Sequence, residues 1–334
     1  MCSFTWRLRS GHEALAYISG VKLRDFYLNA ESCAYAFYVG RERLRKIFGE
    51  DIVLPSVSVP HLSYGHISCL GSEIIFPIDS APSLRPIYSN IEEGLRLLIK
   101  RKKRFEDCKL FKHYLKIYRY LCKRFPDERV SIYGFGWEGP ITTAIMLRGT
   151  DFLVDMYRKP ILVKKFLKEL TESIVEFIYF LRRLMDEPEI NPYSSGLCDD
   201  CSSYIPPKLW DEFVIPYWEQ YYSGITSGRR YIHVENLSPP HLKYLEKVRI
   251  VHYDPSVSPK LTPKIIKREI KIPFSWRLPS FVYLSMSKED IYQWVLDSYR
   301  EGANEMYTTV EPLIFRQNLL DKIKAFIDAC KKIS

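Results

Sequence analysis

His233-Val-Glu235 is the sharpest chemical feature of the chain. On an extended strand, residues two apart point to the same side, so this imidazole and carboxylate could share one metal ion. Histidine with carboxylates suits Zn²⁺, Fe²⁺ or Mn²⁺. The alternative is a strand-end histidine bonded to a neighbouring carboxylate. Asp199 and Asp200 are paired acids that could hold a cation or bond a polar substrate. They lie within Cys198-Asp-Asp-Cys201, a CxxC spacing with no second CxxC, which reads as two reduced cysteines beside a loop. Glu138 sits in Gly134-Phe-Gly-Trp-Glu-Gly-Pro140, whose glycines suit a tight turn but carry no phosphate-loop GK[ST].

These groups need elements to bring them together. From Tyr231 onward the sequence alternates strand and helix. Strands are expected at 231–234, 249–253, 272–276 and 305–310, with helices at 239–247, 263–269, 288–301 and 317–332. Such units argue for parallel strands with helical crossovers, and their number favours a closed barrel over an open sheet. Upstream, short strands are expected at 51–60, 71–77 and 130–133. A long helix is expected from Pro160 to just before Glu187-Pro188, with Val163, Phe166, Leu167, Leu170, Ile174 and Phe177 on its buried stripe. Residues 1–50 read as helical. No linker divides the chain, so 1–334 is read as a single (β/α)8 TIM barrel domain with residues 1–50 as an N-terminal helical extension.

In such barrels chemistry sits where strands end. The rule selects Glu138, Asp199, Asp200, His233, Glu235, His252, Asp254, Ser275, Arg277, Thr308, Thr309 and Glu311 as groups converging on one mouth. That many ionisable groups together are costly unless they bind something. Tyr64, Trp137, Tyr253 and Trp276 could line a flat pocket there.

Composition narrows the class. The 334 residues are 46% apolar and 27% charged, an ordinary globular mix that excludes a disordered chain, a collagen or a coiled coil. No run of 18 apolar residues occurs and no signal-peptide pattern opens the chain, so a cytoplasmic location and no membrane contact are expected. The eight cysteines are scattered, which suits reduced thiols. The net charge of +9 is concentrated: Arg96 to Arg124 holds twelve Lys/Arg against two acids, on apolar spacing that reads as one amphipathic helix. No nucleic-acid-binding signature accompanies it, so a solvated face or an acidic protein partner is expected, and no nucleic acid.

At these residues the chain resembles the uroporphyrinogen decarboxylase superfamily. The matching blocks are Gly71-Ser-Glu-Ile-Ile-Phe-Pro-Ile-Asp-Ser-Ala-Pro82, Glu138-Gly-Pro-Ile-Thr-Thr-Ala144 with Leu147-Arg-Gly149, Asp199-Asp-Cys-Ser-Ser-Tyr-Ile-Pro-Pro207 with Phe213-Val-Ile-Pro-Tyr217, His233, and Thr309-Val-Glu-Pro312. The resemblance implies a (β/α)8 barrel with an extended N-terminal helical part. The decarboxylases carry an N-terminal Arg-Gln-Ala-Gly-Arg motif, where this chain has Leu23-Arg-Asp-Phe-Tyr27. That points to the other branch, the corrinoid-dependent methyltransferases.

Thiol-methylating members of that branch hold zinc with a His-x-Cys pair and a later cysteine. Here His233 is kept, Glu235 stands in place of the first cysteine and Glu311 near the second. Aromatic O-demethylases resemble a pattern of two glutamates and one histidine, the second glutamate 21 residues before the histidine, where Glu212 stands. The first glutamate falls on Leu197, for which Asp199 or Asp200 could substitute. A carboxylate-rich set makes zinc harder and suits an oxygen substrate. The resemblance thus implies Zn²⁺ at His233 with Glu235, Glu212 and Glu311 as ligands, and Glu138, Asp199 and Asp200 as catalytic groups. Tyr64, Trp137, His252, Tyr253 and Trp276 would contact a small methoxylated, aromatic substrate. The methyl group would pass to a corrinoid (cobalamin) carried by a partner protein. Other readings are transfer from a methylcobamide to a thiol such as coenzyme M, and a metal-free tetrapyrrole-binding barrel.

Overall fold

The computed structural model describes residues 4–101 and 105–333. The chain opens with a strand, β1 (Thr5–Ser10). Short strands β2 (Ile52–Val53), β3 (Ile74–Ile75) and β4 (Ser83–Leu84) follow. The main series is β5 (Ser194–Cys198), β6 (Arg229–His233), β7 (Ile250–Asp254), β8 (Ser275–Leu278) and β9 (Glu305–Val310).

Parallel ladders join β2-β1-β9-β8 and β5-β6-β7. A parallel bridge between Tyr253 and Phe274 links β7 to β8. Residues 57–62 run on from β2 and bond to 131–136, through Val59 N–H to the Ser131 carbonyl at 2.9 Å and Gly136 N–H to the Leu62 carbonyl at 2.9 Å. Gly139 N–H then donates to the Cys198 carbonyl at 2.6 Å. The order around the ring is therefore β1, β2, the 130–135 segment, β5, β6, β7, β8, β9 and back to β1: a (β/α)8 TIM barrel in which the third position is irregular. β3 and β4 form an antiparallel pair of their own.

Helices fill residues 12–48, where the sequence reading expects an N-terminal extension, but Thr5–Ser10 ahead of them is barrel strand, so they form the connection from β1 to β2. Its Trp-Arg-Leu-Arg alternation is a strand pattern with the usual polarity reversed. Leu8 is fully buried toward the helices, while Arg7 and Arg9 face the barrel interior. The long helix spans Pro160–Leu184 and buries the expected stripe. Proline opens it, where its missing N–H costs nothing. The basic segment is two helices, not one: Ile91–Arg101 and Lys109–Arg124, with a single turn at Phe105–Asp107. Part of the expected basic run, 102–104, lies outside the described residues. Among the described residues no helix is long and apolar enough to cross a membrane.

Candidate functional site

Three neighbouring strands end in one row. Cys198 on β5 is the register partner of His233 on β6, and His233 is the partner of Asp254 on β7. All three side chains face a cavity of about 560 Å³ inside the barrel, which reaches down to Ser275 and Glu305 at the starts of β8 and β9. Gly196, inward two residues before Cys198, leaves open space where a side chain would stand.

His233 organises the mouth. Its Nδ1 lies 3.3 Å from Asp254 Oδ2, and its Nε2 lies 3.6 Å from Asp200 Oδ1 and 3.9 Å from Glu235 Oε1. Burial opposes charge on the ring, but the Asp254 bond and the charges of Asp254, Asp200 and Glu235 raise its pKa. Asp254 also accepts from the Tyr307 hydroxyl at 2.8 Å and the Ser256 amide at 3.0 Å. Despite burial, these bonds and His233 hold its carboxyl below the usual range. Asp200 Oδ1 accepts the Glu235 amide at 2.9 Å, and burial raises its carboxyl. Donor atoms of Cys198, Asp200 and His233 all lie within 4.8 Å of one another.

Imidazole, thiol and carboxylate in that space fit a zinc-type ion. His233 Nδ1–H is held by Asp254, which leaves Nε2 to face the other donors. A carboxylate behind a ligating histidine is the usual support of such a site. Cys198 is the donor that the sequence reading left out, and Asp254, which it named only as a strand-end group, is the carboxylate behind His233. The signal for Cys198 was its place at a strand end in line with His233, which the spacing Cys-x-x-Cys obscured.

Glu138 is buried nearby, with Oε2 lacking a hydrogen-bond partner. Burial, with the charges of Asp200 and Asp199, pushes its carboxyl up to about 8, against bonds from Ser63 and Cys198. It is therefore protonated near neutral pH. The Cys198 thiol is pushed far up by burial and by the same acids.

Other expected residues stand elsewhere. Asp199 is fully buried and its oxygens are committed: Oδ1 accepts the Thr142 amide at 2.7 Å and Oδ2 the Trp218 indole N–H at 2.7 Å. It anchors the start of the Pro140–Arg148 helix rather than facing the cavity. A Cβ on Gly139 would meet it at 2.5 Å. Gly134 and Gly139 thus serve close approach, not a left-handed turn; a Cβ on Gly134 would meet the Val59 carbonyl oxygen at 2.0 Å.

Glu212 is not brought to His233. It lies on the outer helix Trp210–Phe213 and pairs with Lys164 at 2.5 Å. Glu311 accepts from Arg277 Nη2 at 2.7 Å and from the Ser280 hydroxyl, so both oxygens have partners other than His233. Trp137 and His252 line the cavity. Trp137 is held by its indole N–H to the Tyr221 hydroxyl at 2.9 Å, and His252 Nε2 lies 2.8 Å from the Ser275 hydroxyl. Tyr64 is half-buried, and burial and the charge of Glu138 raise its hydroxyl pKa. Tyr253 and Trp276 are not in the cavity wall. Strand alternation turns them outward, because His252, Asp254 and Ser275 take the inward positions. Tyr253 is fully buried and donates to the Val234 carbonyl.

The fold and mouth together define a (β/α)8 barrel with a candidate metal centre at the C-terminal face. The uroporphyrinogen decarboxylase (URO-D) family model matches residues 5–332, and the chain belongs to that family. No curated protein matches the sequence. Among solved structures it is similar to a methyltransferase from Methanosarcina mazei, at 18% identity and a TM-score of 0.68, covering 99% of this chain and 94% of that one. At that identity the likeness is one of fold.

Proposed function

We propose that this protein is a zinc-dependent methyltransferase that removes the methyl group of a small methoxylated, aromatic compound and passes it to the cobalt(I) of a corrinoid on a partner protein. The observation that carries the reading is the cluster of Cys198, Asp200 and His233 donor atoms within 4.8 Å of one another, backed by Asp254. The methyltransferase fold neighbour and the absence of the decarboxylase arginine motif point the same way.

His233 Nε2, Cys198 Sγ and Asp200 would hold the ion, with Glu235 beside them. When bound, zinc would supply Lewis acidity toward an ether oxygen. Cys198 must lose its proton to ligate, so loading releases a proton. Glu138, whose buried carboxyl is raised to about 8, would give its proton to the departing oxygen. Trp137, fixed by Tyr221, offers a flat apolar wall for a ring. Cys198 also supplies a thiolate donor that a pure carboxylate set lacks. That favours, as second reading, methyl transfer to a thiol acceptor.

The test supplies cobalt(I) cobalamin and a panel of methoxylated aromatics to wild type and His233→Ala. Methylcobalamin formed by wild type alone supports the reading. Equal rates in both overturn it. Transfer only from methylcobalamin to coenzyme M selects the second reading.

A further inference from the structure

A second cavity, of about 500 Å³, lies between the helices Gly65–Cys69 and Lys109–Arg124 and the strand β3. It shares no lining residue with the cavity at His233. Its polar wall is Ser68, Ser72, Glu73, Cys108, Lys109 and His113, set against apolar side chains. Ser72 is 5% exposed and lines the cavity, yet its hydroxyl has no hydrogen-bond partner among the described residues. A buried hydroxyl left unpaired costs free energy that a bound polar molecule would offset. Cys108, on the same wall, precedes the first turn of a 16-residue helix, and its sulfur lies 3.6 Å from the Ser68 hydroxyl.

Cys108 has a second sulfur beside it. Cys69 follows Ser68 on the short helix, and its thiol is hydrogen-bonded to the Cys108 sulfur. Burial keeps the Cys69 thiol protonated. The bond from Cys69 and the first-turn amides outweigh burial at Cys108 and bring it down to about 6. Near neutral pH the pair therefore holds one thiolate facing the cavity and one thiol behind it. Those are the needs of an attacking and a resolving sulfur. Glu73 offsets the charge of Lys109 on the wall, so a small neutral oxidant suits the space better than an anion.

We infer that this cavity is a peroxide-reactive site, in which Cys108 is oxidised, Cys69 resolves it to a disulfide and Ser72 bonds the peroxide. In the first step the Cys108 thiolate attacks one peroxide oxygen. The S–O bond forms, the O–O bond breaks, and hydroxide leaves to take a proton from water. Sulfur is oxidised by two electrons and the peroxide reduced by two. In the second step the Cys69 sulfur attacks the Cys108 sulfenic acid. The S–S bond forms, the S–O bond breaks, and the hydroxide leaves as water with the Cys69 proton. None of this rests on the methyl-transfer reading.

The test treats reduced full-length protein with hydrogen peroxide, blocks the remaining thiols and maps unreduced peptides by mass spectrometry. Wild type should yield a Cys69–Cys108 disulfide. Cys69→Ser should instead accumulate a dimedone-reactive sulfenic acid at Cys108. Ser72→Ala should form the disulfide at least about threefold more slowly, while iodoacetamide alkylates its Cys108 at the wild-type rate. Absence of the Cys69–Cys108 disulfide from wild type, faster oxidation of any other cysteine, or no sulfenic acid at Cys108 in Cys69→Ser overturns the inference. Equal rates of disulfide formation in Ser72→Ala and wild type overturn the placing of the peroxide in this cavity.

Discussion

His233 and Asp254 are register partners across the β6–β7 ladder, and Nδ1 of the imidazole lies 3.3 Å from Oδ2 of the carboxylate. This contact sets the orientation of the ring and directs Nε2 toward Asp200 and Cys198. Asp254→Asn keeps the size of the side chain and removes its charge. It should weaken zinc binding by about 10- to 100-fold while the protein stays folded. A competition titration against a zinc chelator measures this. Unchanged affinity would mean that Asp254 does not support a ligand.

Asp199 makes a different prediction, because its role is structural. Asp199→Ala would leave the buried Trp218 indole N–H and the Thr142 amide without their acceptor. The expected loss is about 2–4 kcal/mol of stability, read from denaturant midpoints. Asp200→Ala, partly exposed at the mouth, should cost much less stability and instead lower zinc affinity. Equal destabilisation by both would contradict the division of roles.

Much of the barrel was legible in the sequence. The helices Pro239–Lys247 and Pro263–Glu269 and the strand Glu305–Val310 fall where their patterns place them, because proline starts and apolar periodicity mark them locally. β1 was not legible, since its inward residues are arginines and an inward charge mimics a solvated face. The third barrel position forms only isolated bridges, so its expected strand at 130–133 is barely regular. At the mouth, His233 and Glu235 could be singled out by spacing along one strand. Cys198 could not, and Asp254, named only as a strand-end group, could not be paired with His233, because both meet it through register between strands. Tyr253 and Trp276 were misplaced by the same limit: lying near a strand end does not reveal which side a residue faces. Glu212 matched a family spacing, but its helix lies outside the barrel.

His66 predicts a pH dependence. It is fully buried, with Nε2 3.0 Å from the Ser173 hydroxyl, and burial pulls its pKa from 6.5 down to about 3. The unfolded chain takes up a proton below about pH 6.5 and the folded chain does not. The stability held by neutral His66 is therefore full above pH 6.5 and is lost as pH falls from 6.5 toward 3, at up to about 1.4 kcal/mol per pH unit. Between pH 7.5 and 5, wild type should lose roughly 1–2 kcal/mol more than His66→Asn does. Equal losses in denaturant titrations would contradict a buried neutral imidazole.

Cys108 predicts selective reactivity. Its sulfur accepts from the Cys69 thiol and, at the start of the Lys109–Arg124 helix, from the amides of Phe111 and Leu110, which outweigh burial and bring it down to about 6. Burial pushes Cys330 up to about 12. Iodoacetamide at pH 7 should label Cys108 at least about tenfold faster than Cys330, by peptide mass spectrometry. Comparable rates would show that Cys108 is not a thiolate.

The central claim is a metal centre built on His233 and Cys198, and cobalt(II) substitution tests it most directly. Cobalt(II) takes zinc-type sites and reports a bound thiolate by a charge-transfer absorption. Wild type should take up one cobalt per chain with that absorption. Cys198→Ser should lose the absorption, and His233→Ala should lose the metal. No stoichiometric uptake by wild type, or uptake unaffected by His233→Ala, would contradict the account.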